Sequence, residues 1–336
     1  MKKKINKFFN IIIILCLVAI SSGCNDDKSE PHYYNPPSDS NNSSPSTTNR
    51  GYETNNNTNT SQVKPDNTPL RDSTPQVRIP AEGSEKATSN VCSIDFSNRN
   101  EGYVLANYFG NNPKVKIQII GPDSITYNYD LPKHVTCYPL SAGNGNYKIS
   151  IYENIGGTKY SLALSKNISV TLNNDLLPFL YPNQFVDFNS SSICISVGQQ
   201  LASNAKNDLN VVEKAYNYVI TNFKYDYDKA RNLKAGYLPN IDTTMQTKTG
   251  ICFDYASVIA SMLRSQRIPT RLEIGYAGTE YHAWISVYIK DIGWINGIIQ
   301  FTGDTWTMMD PTFASTSKNP IKFVPTKDKY KISFMY

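Results

Sequence analysis

One cysteine in this chain stands where it could act as a nucleophile. Residues 249–256 read Thr-Gly-Ile-Cys-Phe-Asp-Tyr-Ala and place Cys252 at the start of a predicted helix. A cysteine attacks a carbonyl carbon only as the thiolate, and the pKa of the free thiol is ~8.5. The positive end of a helix and a nearby imidazolium both lower that pKa. Gly250 lets the chain turn sharply and leaves room for a substrate carbonyl, and the free N–H of Cys252 is a candidate oxyanion donor.

The histidine that would serve Cys252 as a base is almost forced, because histidine is scarce. The chain has three histidines, and only His282 lies in its C-terminal half. An Asp-Pro-Thr segment follows at residues 310–312. Asp310 would accept the second imidazole N–H and fix the tautomer, as the acid of a catalytic triad does. The proline after it favours extended backbone at Asp310, as expected at a strand end.

Several of these residues also have an interpretation without chemistry. A cysteine on an apolar helix face is usually a core thiol, and Cys194, between two isoleucines, fits that description. Gln246, six residues before Cys252, is a candidate second oxyanion donor, although an ordinary loop glutamine is the simpler interpretation. Asp254 could simply complement the helix dipole from the first turn.

The apolar periodicity changes from helix to strand across this region. Asp208 can cap a helix with one apolar face, formed by Val212, Ala215, Tyr216, Val219 and Phe223. The helix from Cys252 carries apolar residues on the face of the cysteine and ends near Arg267. Residues 281–289 alternate with period two, which puts His282 on a face without aliphatic residues that can point toward the start of that helix. Asn296-Gly297 is a hairpin signal, although a longer connection is the alternative. Residues 306–309 are a strand candidate that leads to Asp310. Helices followed by antiparallel strands predict an α+β domain over residues 173–336.

Three segments of this region together resemble the signature blocks of the transglutaminase-like superfamily. They are residues 250–256, residues 282–284 (His-Ala-Trp) and residues 310–312. The resemblance covers roughly residues 173–313 and implies a papain-like core with Cys252 as nucleophile, His282 as base and acid, and Asp310 as the orienting group. It implies a thioester formed from a carboxamide or peptide bond, whose acyl group then passes to water or an amine. No organic cofactor is implied, and no EF-hand-like loop suggests calcium.

The N-terminus has the pattern of an export signal over residues 1–23. Four lysines up to Lys7 precede an apolar run, from Phe8 to Ile20, that is too short to span a membrane comfortably. The Ser-Ser-Gly-Cys segment ending at Cys24 resembles a bacterial lipobox, at which signal removal leaves a lipid-modified cysteine. An ordinary cleaved signal is the alternative. The chain is therefore predicted to be extracytoplasmic and anchored at the cell membrane through a lipid on Cys24.

Two regions of different composition separate this signal from the α+β domain. Residues 24–90 are rich in Asn, Ser, Thr, Pro and Asp and predict a disordered linker, because they bury too little apolar surface to offset the entropy of ordering. Such a linker has an r.m.s. span of ~45 Å. Residues 91–172 contain short alternating runs at 115–120, 146–152, 160–164 and 168–172, divided by turn residues. They predict a small all-β, Ig-like sandwich.

Charge and cysteine content give no support for two other kinds of partner or site. The formal net charge is +5, but the four lysines of the signal account for most of it and leave about +1. A chain so near neutrality gives no argument for nucleic acid as a partner. The cysteines beyond Cys24 are too sparse for a disulfide framework or a zinc site. Cys92 and Cys137 could still pair outside the cytoplasm, or remain buried thiols.

The sequence thus predicts an exported, lipid-anchored cysteine enzyme that acts on amide bonds. Hydrolysis of protein or cell-wall peptides is the first choice, since water is the default acyl acceptor. Cross-linking of proteins by acyl transfer to an amine is the second. A non-catalytic surface binding or adhesion protein is the third, although such a protein has no need of a complete Cys-His-Asp set. Substrate identity and oligomeric state are not fixed by the sequence.

Overall fold

The computed structural model describes residues 69–277, 280–302, 305–308 and 330–336. Its N-terminal part contains eight strands. They are β1 (Lys86–Thr88), β2 (Cys92–Asp95), β3 (Tyr103–Tyr108), β4 (Val115–Ile120), β5 (Thr126–Asp130), β6 (Thr136–Pro139), β7 (Gly145–Gly156) and β8 (Lys159–Val170). They form two antiparallel sheets with the orders β1-β2-β3-β6 and β5-β4-β7-β8.

Alternating burial explains why these segments are strands. In β4 the apolar Val115, Ile117 and Ile119 are buried, and the residues between them are more exposed. Apolar side chains of both sheets belong to one core, as a sandwich requires. Residues 160–164 and 168–172 were expected as separate strands, but residues 159–170 form the single strand β8. The sandwich-like pair of sheets agrees with the predicted all-β region, and its Ig-like character stays a prediction.

The last part of the predicted linker makes specific contacts with the folded chain. The guanidinium of Arg71 pairs with Asp208 and donates to both the backbone and the side-chain oxygen of Gln266. The N–H of Gln76 donates to the carbonyl of Ser265 at 2.7 Å. Further along, the N–H of Gly83 donates to the Asp95 carboxylate at 2.8 Å. Residues 71–83 are therefore held along the surface, while residues 24–68 of the predicted linker lie outside the described residues.

The C-terminal part begins with helices and short strands. They are α1 (Ile193–Ala202), α2 (Asp208–Asn222), β9 (Lys224–Tyr225), α3 (Tyr227–Arg231), α4 (Ile241–Thr247), β10 (Thr249–Gly250) and α5 (Cys252–Ser265). The predicted apolar face of α2 is buried, as expected from its spacing. Its cap is Asn207 rather than Asp208, because the Asn207 side chain accepts from the N–H of Asn210 at 2.9 Å.

A five-stranded antiparallel sheet follows the helices. Its strands are β11 (Thr270–Ala277), β12 (Glu280–Ile289), β13 (Gly293–Thr302), β14 (Thr305–Met308) and β15 (Tyr330–Met335), in the order β14-β13-β12-β11-β15. The predicted hairpin turn at Asn296-Gly297 is wrong, because both residues lie inside β13. The chain instead turns between β12 and β13, where Asp291 has a φ of 70°.

Helix α5 packs on this sheet at the centre of the fold. Ala256, Ile259 and Leu263 are buried on the face predicted for them. At the end of α5 the fully buried guanidinium of Arg264 donates to main-chain oxygens of Thr270, Tyr181 and Tyr336. It thereby joins the helix to β11, to the chain that follows the sandwich and to the end of β15. None of the described helices has the length and apolar character needed to cross a bilayer.

Candidate active site

Cys252 is the first residue of α5, so the free N–H groups of the helix start surround it. Ile251 before it is extended, with φ −105° and ψ 177°, and its N–H donates to the Asp254 carboxylate at 2.8 Å. This bond fixes the start of the helix from within its first turn. The helix therefore begins at the residue that the sequence predicted.

The Asp254 carboxylate also leaves no room for a side chain at position 250, so glycine is required there. A Cβ at this position would lie 2.8 Å from the Asp254 Cβ and 2.9 Å from its Oδ2. Its neighbour across the ladder is Tyr225, since β10 pairs with β9 in parallel. The N–H of Asp226 donates to the Gly250 carbonyl at 2.9 Å. The backbone just before Cys252 is thus held by residues 224–226.

Cys252 is half-buried, and its thiol lies beside Ala283 of β12. Burial raises the pKa of this thiol, and the N–H groups of Ala283 and Phe253, which face the sulfur, lower it to a smaller extent. The start of a helix by itself lowers the pKa of a cysteine there, as predicted from the sequence. Burial outweighs it, because a thiolate loses its hydration between α5 and the sheet. A base beside the sulfur is therefore needed if the thiolate is to form near neutral pH.

His282 lies on β12 next to Ala283, the residue whose N–H faces the sulfur. Its cross-strand neighbour is Gly275, which has no side chain to crowd the imidazole on that face. A Cβ on Gly275 would come within 2.0 Å of the Lys331 carbonyl, so glycine is required by the close approach of β15. The fold thus places Cys252 beside the strand residue that follows His282.

The face that His282 shares with Trp284 and Ser286 holds a buried acid that the sequence argument missed. The indole N–H of Trp284 and the hydroxyl of Ser286 donate to the Glu273 carboxylate at 2.7 and 2.8 Å. Burial raises the pKa of Glu273, and these two bonds oppose the rise. This face was expected to be polar and open toward the helix, yet both Trp284 and Ser286 are buried. Only the cross-strand pairing of Glu273 with Trp284 could have revealed the contact.

A second buried acid, Asp254, receives three donors. Lys229 Nζ lies 2.7 Å from its Oδ2, the Tyr237 hydroxyl donates to its Oδ1, and the Ile251 N–H completes the set. Lys229 also donates to the Tyr237 hydroxyl at 2.5 Å. Asp254 is thus more than the first-turn carboxylate that the sequence suggested.

The remaining predicted site residues have different outcomes. Gln246 lies on α4 with its side chain exposed, and its role as an oxyanion donor stays a prediction. Asp310 and Cys24 lie outside the described residues. Among the described residues no group of three His, Cys, Asp or Glu side chains could hold a metal ion.

The other described cysteines are free thiols. Cys194 is fully buried, as expected of a core thiol. Cys92 on β2 opposes Tyr108, whereas Cys137 on β6 opposes Leu105. Strand β3 lies between the two cysteines, and their partners on β3 are three residues apart, so the pair is too far apart for a disulfide.

Part of this region matches a known family. Residues 195–297 match the family model of the Transglutaminase-like superfamily. This part of the chain is similar to the transglutaminase-like domain. The match includes Cys252 and His282 and ends before Asp310.

Individual relatives of the transglutaminase-like domain are distant. UPF0252 protein MJ1282 of Methanocaldococcus jannaschii is 30% identical over 92 residues, which cover 24% of this chain and 26% of that protein. The match thus spans about a quarter of the curated relative's length. A solved candidate cysteine protease from Cytophaga hutchinsonii is 14% identical with a TM-score of 0.35, covering 77% of this chain and 74% of that one. Red sea bream transglutaminase is 13% identical with a TM-score of 0.28, covering 62% of this chain and 48% of that one. At these scores neither structure bears on the activity of this chain.

Proposed function

We propose that this protein is a cysteine enzyme that cleaves amide bonds through a thioester on Cys252. The observation that carries the proposal is the position of this thiol. It lies at the start of α5 with its sulfur facing the N–H of Ala283, the residue after His282. A nucleophile and a base on adjoining elements, beside free helix N–H groups, are what acyl transfer requires.

The reaction begins with proton transfer from the Cys252 thiol to the imidazole of His282. The sulfur then attacks the carbonyl carbon of the amide, and the oxyanion that forms is held by the N–H of Cys252, with Gln246 as a second donor. When the C–N bond breaks, the imidazolium gives its proton to the leaving nitrogen, and a thioester remains. Water then attacks the thioester with His282 as base, which releases a carboxylic acid and restores the thiol. Asp310 is assigned to hold the imidazole in the required tautomer.

Burial of the thiol gives this scheme a particular requirement. Because burial raises the pKa of Cys252, the sulfur is mostly protonated until His282 takes its proton. The base therefore contributes to formation of the nucleophile as well as to departure of the amine. Loss of His282 should be more damaging here than in a site whose cysteine ionises without help.

Hydrolysis of protein or cell-wall peptides is the favoured outcome, and cross-linking by transfer to an amine is the alternative. Incubation with a glutamine-containing peptide, with and without a primary amine, separates them. Ammonia release with a new glutamate indicates hydrolysis of the side-chain amide, backbone cleavage indicates a peptidase, and amine incorporation indicates a transferase. Cys252→Ala must abolish whichever product appears. If wild-type protein forms none of them from glutamine or cell-wall peptides, the non-catalytic binding interpretation takes precedence.

We also propose export and lipid anchoring, and this part of the proposal rests on the N-terminal sequence alone. The apolar run before Cys24 and the small residues at 21–23 support a lipid-modified cysteine. Fractionation of cells that express the full chain tests it: wild-type protein should be found with the membrane. Cys24→Ala should release the protein from the membrane or leave its signal uncleaved. The anchor would be overturned if mass spectrometry found an uncleaved, unmodified N-terminal peptide in both the wild-type and the variant protein.

A further inference from the structure

The start of the Cys252 helix contains a conflict between two requirements. Asp254 fixes this start, because its carboxylate accepts the N–H of Ile251 and packs against Gly250. The same negative charge lies two residues from the cysteine and raises the pKa of the Cys252 thiol. The group that orders the nucleophile thus opposes its ionisation.

A lysine from another element resolves this conflict. The Asp254 side chain is 0% exposed and lies 2.7 Å from Nζ of Lys229, whose side chain is 28% exposed. The Tyr237 hydroxyl contacts both groups and donates to the carboxylate. We propose that Lys229 is a positioning residue of the active site, whose ammonium neutralises Asp254 so that the carboxylate can order the helix start without suppressing the Cys252 thiolate. The inference rests on the proposed role of Cys252 as nucleophile.

The position of Lys229 is built by the chain that precedes α4. The Asp226 carboxylate accepts the backbone N–H of Lys229 at 2.8 Å and caps α3. The N–H of Asp226 donates in turn to the carbonyl of Gly250, just before Cys252. The Lys229 ammonium also lies 4.4 Å from the centre of the Tyr237 ring, as in a cation–π contact. The lysine is therefore attached to the site both through its backbone and through its side chain.

The charged and titratable groups of the described residues around this end of α5 are few. They are Asp254 and Tyr255 on α5, Lys229 on α3, Asp226 before it, Tyr225 on β9, Tyr237, and His282 on β12. Arg231 and Asp228, also on α3, pair with each other with side chains 69% and 87% exposed, so solvent screens them. Arg231 is consequently a matched control for Lys229: a cation on the same short helix, without contact to Asp254.

The test is the pH dependence of Cys252 alkylation by iodoacetamide, read peptide by peptide by mass spectrometry. Lys229→Met leaves Asp254 without its ammonium partner and should move the thiol titration up by about one pH unit, the size expected for one partly screened charge nearby. Asp254→Asn leaves the ammonium without its acid and should move it down. Lys229→Arg, which keeps the charge, and Arg231→Met should both titrate like wild type.

The double variant Lys229→Met/Asp254→Asn sharpens the test, because it restores local neutrality. Its titration should return toward the wild-type value, although each single variant departs in the opposite direction. A structural role alone would shift both single variants the same way, or neither, and either result would overturn the inference. Circular dichroism verifies that each variant is folded. The thiol titrates whether or not it is catalytic. Failure of the proposed function would therefore appear separately, as a Cys252 alkylation rate that His282→Ala leaves unchanged.

Discussion

Replacement of Arg264 by methionine should lower the free energy of unfolding by about 4 kcal/mol. The guanidinium donates to the Thr270 carbonyl at 3.0 and 2.8 Å and to the Tyr181 carbonyl at 2.7 Å. Its third acceptor, the Tyr336 oxygen, keeps the N–H of Leu272 as a donor at 2.9 Å. The other two acceptors, the carbonyls of Thr270 and Tyr181, lose this donor, and each loss costs ~1–3 kcal/mol of stability. Together they cost about 2–6 kcal/mol. Methionine also removes a buried charge, which offsets part of this cost, so we expect a value near the middle of that range.

Thermal and urea unfolding followed by circular dichroism measure this change. A loss of about 4 kcal/mol corresponds to a fall in Tm of roughly 10 °C for a folded unit of this size. Arg264→Lys keeps the charge but lacks the planar fork that reaches several carbonyls at once, so it should also be destabilised. Arg231→Met, at an exposed ion pair, should change stability by less than about 0.5 kcal/mol. An Arg264→Met protein that melts within about 1 °C of wild type would refute the reasoning.

Two further changes in stability follow from the packing and from buried phenols. Gly275→Ala should cost about 3 kcal/mol in urea unfolding, because its Cβ would lie 2.0 Å from the Lys331 carbonyl and overpack the β11–β15 contact. Gly198→Ala on α1 is the control, since its Cβ meets Met262 only at 3.4 Å and alanine favours the helix by ~1 kcal/mol. Equal losses of unfolding free energy in the two variants would contradict the close approach at Gly275. Burial raises the pKa of Tyr127 to about 12, so its stabilising contribution is complete below pH 10 and is lost as pH rises toward 12. That contribution is about 3 kcal/mol. Tyr127→Phe should therefore make the fall of Tm between pH 10 and 11.5 less steep. An unchanged slope would show that this phenol is not the titrating group.

Periodic elements of this fold were predictable because their signals are local. The alternation at residues 115–120 gave the bounds of β4, and the spacing of apolar residues gave the buried faces of α2 and α5. Cys252 could be placed at a helix start because a glycine lies two residues before it and apolar residues follow it at helical spacing. The alternation at residues 281–289 likewise placed His282 within β12.

Contacts between distant segments were not predictable from those signals. Lys229 meets Asp254 across 25 positions of the sequence, through a helix too short to have a clear apolar period. Glu273 meets Trp284 only once β11 and β12 pair in their observed register. The turn signal of Asn296-Gly297 was overridden because β13 continues through it beside β12. In each case a tertiary contact, rather than local preference, decides the outcome.

The most direct test of the proposed nucleophile is the alkylation rate of Cys252 at pH 7, with Cys194 of the same molecule as reference. The wild-type protein should label rapidly at Cys252 and hardly at all at Cys194, which is fully buried. His282→Ala should slow labelling of Cys252 toward the reference rate, because the thiol then keeps its raised pKa and has no base to take its proton. Slow labelling of Cys252 in the wild-type protein, or a rate that His282→Ala leaves unchanged, would contradict the assignment of these two residues as nucleophile and base.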